Sequence, residues 1–357
     1  MTPLPASDLA QIVRATSSLW APLCGGRILL TGTTGFFGCW LLESLVAINR
    51  ELGLGIVIFA QSRDPARFLA RMPHLGAEAC IHWLVAEPSQ LMASQIRSKV
   101  AGSGAGLDAI IHLVTEADNA DSRARPAAAA EAIVGSTKQA LRLAREMGAR
   151  YFLFASSGSV YARLSGAPHK ISEMHPLTSV LSDPALGYAF SGGLKRQAEE
   201  LCGACGQKHG LNVTIARGFT FVGPHLPLQS KFALGNFLDD ALQGRDIVIR
   251  GDGTPIRSYL YAADLTVWLC TILLRGVSGR TYNVGSEQAI TLRDMAEVVR
   301  REVAPAVNVT VMGQASSTSP ADYYVPDTRR ARQELALVER VPLDEAIRRT
   351  IEWTRQP

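Results

Sequence analysis

Residues 27–38 read RILLTGTTGFFG, and no other stretch limits the possible folds so strongly. An apolar run of strand length ends in glycines at 32, 35 and 38, and helix-forming sequence continues from Phe36 to about Glu51. In such a strand–turn–helix, Gly32 allows the tight turn, Gly35 lets a backbone approach a pyrophosphate, and Gly38 permits close helix–strand packing. The unpaired N–H groups and positive dipole end of the helix then favour phosphate. The predicted dinucleotide site is therefore Gly32, Thr34, Gly35, Phe36, Phe37 and Gly38. A glycine trio alone is weak evidence; its force comes from the alternating strands and helices downstream of it.

Further short apolar runs read as strands: GIVIFAQS, LDAIIHLV, ARYFLFASS and LNVTIARG. Helical stretches separate them, including an Ala-rich one from about Arg125 to Met147 and one over Lys195–His209. This alternation predicts an α/β fold, a doubly wound parallel sheet of the Rossmann kind. After Gly223-Pro224 the texture changes to Pro- and Gly-containing loops with helices such as Phe237–Leu242, which predicts a smaller C-terminal α/β domain. The expected organisation is a helical extension over 1–25, a dinucleotide domain over 26–223 to which 258–287 returns, and a substrate-binding region over 224–357.

Composition excludes other classes. With 47% hydrophobic and 19% charged residues the chain has ample material for a core. A net charge of +4 spread over 357 residues gives no nucleic-acid surface. Six cysteines sit mostly in apolar runs and read as reduced thiols of a cytoplasmic protein. The lone Cys202-x-x-Cys205 lacks a second pair, so no metal is expected. No stretch has the length of a membrane span and the start lacks a signal-peptide layout.

NADP and NAD both stay open as the cofactor. An NAD site usually ends its second strand with an acid that holds the ribose hydroxyls. Here Gln61, Ser62 and Arg63 come first, and Arg63 is placed to meet a 2′-phosphate.

Taken together, TGTTGFFG, SSGSVY, Tyr188 with Lys195, ARGFTFVGP, GDGTPIRSYLYAADL, YNVGS and YYVPDTRRARQEL resemble the extended short-chain dehydrogenase/reductase family. That family comprises NAD(P)-dependent nucleotide-sugar epimerases, dehydratases and reductases, and the resemblance covers nearly the whole chain. It implies a nucleotide-diphosphate sugar as partner, bound by the C-terminal domain, and a homodimer as the family habit. It also implies a proton relay of Ser157, Tyr188 and Lys195, in which the lysine lowers the phenol pKa and holds the nicotinamide ribose. Ser159, Thr220, Asn236, Arg257 and Tyr324 map to substrate contacts, with Arg257 on the diphosphate as a fork donor.

Two departures from the family pattern matter. Its 4,6-dehydratases carry an acid pair where this chain has Gly158 and Ser159, neither of which acts as a carboxylate acid or base. C4 epimerisation or reduction of a 4-keto sugar is expected, and dehydration and decarboxylation are not. The family's tyrosine also precedes its lysine by four residues, whereas Tyr188 precedes Lys195 by seven. Because Gly192-Gly193 disfavours helix, three inserted residues forming a bulge or short loop are expected, with Pro184 supporting Tyr188. Ser191 at the four-residue position and Tyr161 are rivals. A non-catalytic or weakly active binding module is the alternative. His112 is expected to be a packed strand-end residue, and Asp264 a helix N-cap.

Overall fold

The structure, a computed structural model, describes residues 2–99, 106–113, 125–162, 169–178, 188–229, 232–314 and 322–356, with Tyr188 and Ala189 as backbone. Pro184 lies outside the described residues.

The strands β1 Arg27–Thr31, β2 Val57–Ser62, β3 Ile81–Val85, β4 Ala109–His112, β5 Tyr151–Ser157, β6 Asn212–Gly218 and β11 Thr281–Val284 form one parallel sheet in the order β11-β6-β5-β4-β1-β2-β3. Ile28, Leu29 and Leu30 of β1 are fully buried, because helices cover both faces of a parallel sheet. The strand order reverses beside β1, whose neighbours are β2 and β4. That reversal opens a crevice at the carboxyl ends of these strands, the usual ligand position in such sheets. The doubly wound Rossmann fold expected from the alternating strands and helices is thus present.

Helix α1 (Ala6–Thr16) precedes the sheet, and α2 (Phe36–Leu52) follows β1 and stops at Gly53, in the left-handed region at φ 61°. After α3 (Pro65–Arg71) and α4 (Ala93–Arg97), a helical run over 126–146, called α5, has a π-helical middle, Glu131–Gly135. Residues 1–25 do not hang free. Ile12, Trp20 and Leu23 are fully buried, and the Asp8 carboxylate accepts from Arg349 at 2.6 Å and from the Tyr261 hydroxyl. The short strands β7 Phe221–Val222, β8 Ile247–Ile249, β9 Ile256–Arg257, β10 Leu260–Tyr261, β12 Ile290–Thr291 and β13 Val309–Val311 pair as β7–β10, β8–β13 and β9–β12. Among the described residues no helix is long and apolar enough to cross a membrane.

Helix α6 corrects the sequence reading. It runs unbroken from Tyr188 to His209, straight through Gly192-Gly193, with no bulge or loop between Tyr188 and Lys195. Packing overrides propensity here. A Cβ on Gly192 would collide with the Ser159 carbonyl oxygen and stand 2.8 Å from its carbon, so the glycine lets α6 lie against the Gly158–Val160 turn. Helix α7 (Ala233–Leu242) starts four residues earlier than expected. Asp264 does not cap α8 (Ala262–Arg275): it is fully buried in the first turn and accepts the Arg340 and Val341 N–H groups at 2.8 and 3.0 Å. Three further helices, α9 (Leu292–Val303), α10 (Arg329–Leu335) and α11 (Leu343–Thr354), complete the chain.

Candidate active site

The glycine turn between β1 and α2 is tightly built. Gly32 is left-handed at φ 69°, and a Cβ on Gly38 would collide with the Gly32 and Thr33 carbonyl oxygens. Gly35 differs: a Cβ there would meet only the Gly32 oxygen, at an ordinary 3.6 Å. Packing within the protein therefore does not demand glycine at 35. Gly35 caps α2 without any side-chain hydrogen bond, which leaves the first-turn N–H groups for a phosphate. Thr34 is exposed beside it, and Phe36 and Phe37 are half-buried, with Phe37 edge-on to Phe221 at 5.0 Å.

No carboxylate stands at the end of β2. Gln61 is buried, accepts the Gly32 N–H at 3.1 Å and donates to the Ala86 carbonyl at 2.7 Å. The amide therefore braces the glycine turn. Arg63 follows the strand end and is exposed.

The second half of the site lies at the end of β5. Lys195 is 2% exposed, donates from Nζ to the Ala155 carbonyl at 2.8 Å, and sits 4.9 Å over the Phe154 ring. Burial disfavours its charge more than Glu199 restores it, which lowers its pKa to about 8. The Ser157 hydroxyl accepts the Ser159 N–H at 3.1 Å, and Ser159 is buried behind it. Tyr188 starts α6 seven residues before Lys195, a rise of about 10.5 Å along the helix. Ser191 occupies the four-residue position and is half-buried.

Near Lys195 lies a buried charge pair that sequence reasoning did not single out. One turn further along α6, Glu199 forms a two-pronged buried pair with Arg217 of β6, at 2.9 and 2.5 Å. The Arg217 guanidinium lies 4.8 Å over the Tyr161 ring, and the Tyr161 hydroxyl donates to Asn283 at 2.6 Å. Tyr161 is thus a structural residue, and burial raises its pKa. The available signal was the i,i+4 spacing of Lys195 and Glu199 in LKRQAEEL. His112 is fully buried and bonded to Thr31 at 2.8 Å. Burial and then Lys195 lower its pKa to about 3, so it stays neutral.

The predicted substrate residues divide. Arg257 is half-buried rather than buried, donates to the Asp322 carboxylate and carbonyl at 2.7 and 2.8 Å, and lies 5.8 Å from the Tyr324 ring centre. Tyr324 packs at a tilt against Phe219, with ring centres 4.7 Å apart, and reaches Gly158, so the structure brings Arg257, Tyr324 and the Ser157 turn together. Thr220 spends its hydroxyl on the Ser258 carbonyl. Asn236 is exposed in the first turn of α7.

Glycine turn, reversal point and buried lysine define a dinucleotide-binding α/β protein of the extended short-chain dehydrogenase/reductase kind. More narrowly, residues 28–285 match the NAD dependent epimerase/dehydratase family, and the chain belongs to it. UDP-glucuronic acid decarboxylase 1 of Xenopus tropicalis is 26% identical over 333 residues, 92% of this chain and 72% of the relative. Two solved structures share the fold. UDP-glucuronic acid 4-epimerase from Bacillus cereus, with UDP-glucuronic acid and NAD, has a TM-score of 0.74 at 18% identity, covering 92% of this chain and 98% of the other. dTDP-glucose 4,6-dehydratase from Streptomyces venezuelae, with NAD, has a TM-score of 0.73 at 21% identity, covering 92% and 97%.

Proposed function

We propose that the protein exchanges hydride with NAD(P) at C4 of a UDP-sugar, either epimerising that carbon or reducing a 4-keto sugar. The observation that carries this reading is Lys195, a cation buried at the carboxyl end of β5 and tethered to Ala155, two residues before Ser157. A buried ammonium with a lowered pKa is costly to keep for packing alone and is common at reacting centres. Bound at the glycine turn, NAD(P) supplies the hydride acceptor or donor. Ser157 orients the sugar C4 oxygen, Tyr188 takes or returns its proton, and Lys195 stabilises the phenolate. Helix side chains lean toward the N-terminus, which brings the long Lys195 stem toward Tyr188. Gly158 and Ser159 offer no carboxylate, so elimination of water and loss of a carboxyl group are not expected.

The unbroken α6 favours a second reading. With Ser191 rather than a phenol four residues before Lys195, the chain binds both ligands but turns over slowly.

Purified protein is incubated with UDP-glucose or UDP-glucuronic acid and NAD, or with a UDP-4-keto sugar and NADPH, and products are read by NMR. A C4-inverted or C4-reduced product supports the proposal, and Tyr188→Phe then lowers kcat by about 10²- to 10⁴-fold. Release of carbon dioxide refutes the reaction, and unchanged turnover in Tyr188→Phe refutes the residue. Ligand binding without turnover supports the second reading.

A further inference from the structure

A pocket of about 300 Å³ opens at the amino ends of β5 and β6, where α5 and α6 both stop. Arg145, Gly148, Ala149, His209 and Gly210 line it, and both glycines are left-handed, at φ 70° and 68°. Arg145 and His209 are exposed, as is the neighbouring Lys208. Lys138 and Arg142, seven and three residues before Arg145, are also exposed and continue the positive charge along the same face of α5. Among the described residues none of these five side chains has an ion pair or a hydrogen bond. The adjacent acid, Glu146, pairs with Arg97 instead. Cations in the last turn of a helix often serve its bare carbonyls. Here the Gly148 and Ala149 N–H groups already donate to the Arg145 and Ala144 carbonyls, and the Gly210 N–H donates to that of Gly206. The crowding of like charge shows at His209, whose pKa is lowered first by desolvation and then by Arg145 and Lys208.

We propose that this pocket is a second ligand site, which takes a small phosphorylated anion of the diphosphate kind on Arg145, Lys208 and His209. Three cations gathered without a carboxylate match the charge of a diphosphate, and the Arg145 guanidinium offers it a two-pronged fork. A volume of about 300 Å³ lies at the lower limit of ligand pockets, which suits a small phosphate compound better than a whole dinucleotide. The pocket is also remote from the crevice. Strand β5 carries the chain about 20 Å from the pocket side to Ser157. Lys195 and His209 stand fourteen residues apart on α6, a rise of about 21 Å. An anion here therefore does not compete with NAD(P) at the glycine turn, and the site stands independently of the UDP-sugar reading.

NMR of the histidine ring protons tests the site, with the His209 signal identified by its loss in His209→Gln. Inorganic pyrophosphate is titrated into the full chain, and sodium chloride at matched ionic strength serves as the control. The expected result is a saturable shift of the His209 signal and a rise of its pKa by about 1 unit, because an anion offsets Arg145 and Lys208. Arg145→Gln removes an exposed side chain that the fold does not use, and should weaken pyrophosphate at this site about 10-fold. The readout is local, so pyrophosphate held at the glycine turn does not mimic it. A His209 signal that pyrophosphate leaves unmoved overturns the proposal. So does an equal, unsaturating drift with sodium chloride, which is charge screening, or an affinity unchanged in Arg145→Gln. None of these outcomes bears on the UDP-sugar reading, which stands or falls at the crevice.

Discussion

Replacing Gly192 by alanine isolates the contact that fixes α6 on the candidate site, and Gly203 on the same helix is its natural control. Either substitution restores about 1 kcal/mol of helix propensity. At 203 the new methyl would find nothing within 4 Å, so Gly203→Ala should stabilise the protein by about that amount. At 192 the methyl would overlap the Ser159 carbonyl oxygen, lie 2.8 Å from its carbon and 3.3 Å from Thr178 Cγ2. A backbone carbonyl cannot rotate away as a flexible side chain can, and relieving such overpacking costs about 1–3 kcal/mol. The two variants should therefore differ by about 1–3 kcal/mol, with Gly203→Ala the more stable. Urea unfolding midpoints with matched slopes measure the difference. Because the turn begins next to Ser157, Gly192→Ala should also lower turnover where Gly203→Ala does not. Equal midpoints for the two variants would refute the seating of α6 on the turn, and with it the placement of Lys195 and Ser191.

Other expectations come from buried charges. Arg217→Met leaves Glu199 buried without its partner and should cost about 3–5 kcal/mol in urea unfolding, most of it recovered by adding Glu199→Gln. Lys195 titrates near 8 in the fold against 10.5 ordinarily, so below 8 both folded and unfolded chains carry the proton and burial of the charge is fully opposed. Stability should rise with pH between about 8 and 10.5, as the folded chain sheds that proton first, and Lys195→Met should flatten this rise. Burial pushes the Glu43 carboxyl up, but His225, His74 at 3.1 Å and the Leu4 N–H at 2.9 Å outweigh it and hold its pKa below 4.5. That stabilisation is present above 4.5 and is lost as pH falls through the folded value, so the protection factor of the Leu4 amide against hydrogen exchange should fall in acid, and Glu43→Gln should remove the dependence.

Local chemistry made much of the site legible. The strand–turn–helix of residues 27–52 was legible because Gly32, in the left-handed region, and Gly38, against the Gly32 and Thr33 carbonyls, answer constraints of the turn they belong to. The apolar strands were legible because a sheet buried on both faces has no polar side to interrupt them. The start of α6 was not, since the reason for Gly192 is a carbonyl more than thirty residues away, and propensity alone argued for a break. The Glu199–Arg217 pair was hidden for a similar reason: one partner belongs to a helix and the other to a strand, and neither carries a mark in sequence that it will be buried.

By itself, then, the sequence determined the doubly wound sheet, the glycine turn between its first strand and helix, and the lack of a carboxylate at 158 and 159, all properties of residue type and short-range order. The tertiary structure alone decided that Tyr188 and Lys195 share one unbroken helix, that Arg257 is paired with Asp322, and that the Tyr324 hydroxyl lies where a side chain at 158 would be. Those outcomes depend on which distant atoms compete for the same space or the same charge, and that competition exists only once the chain has folded.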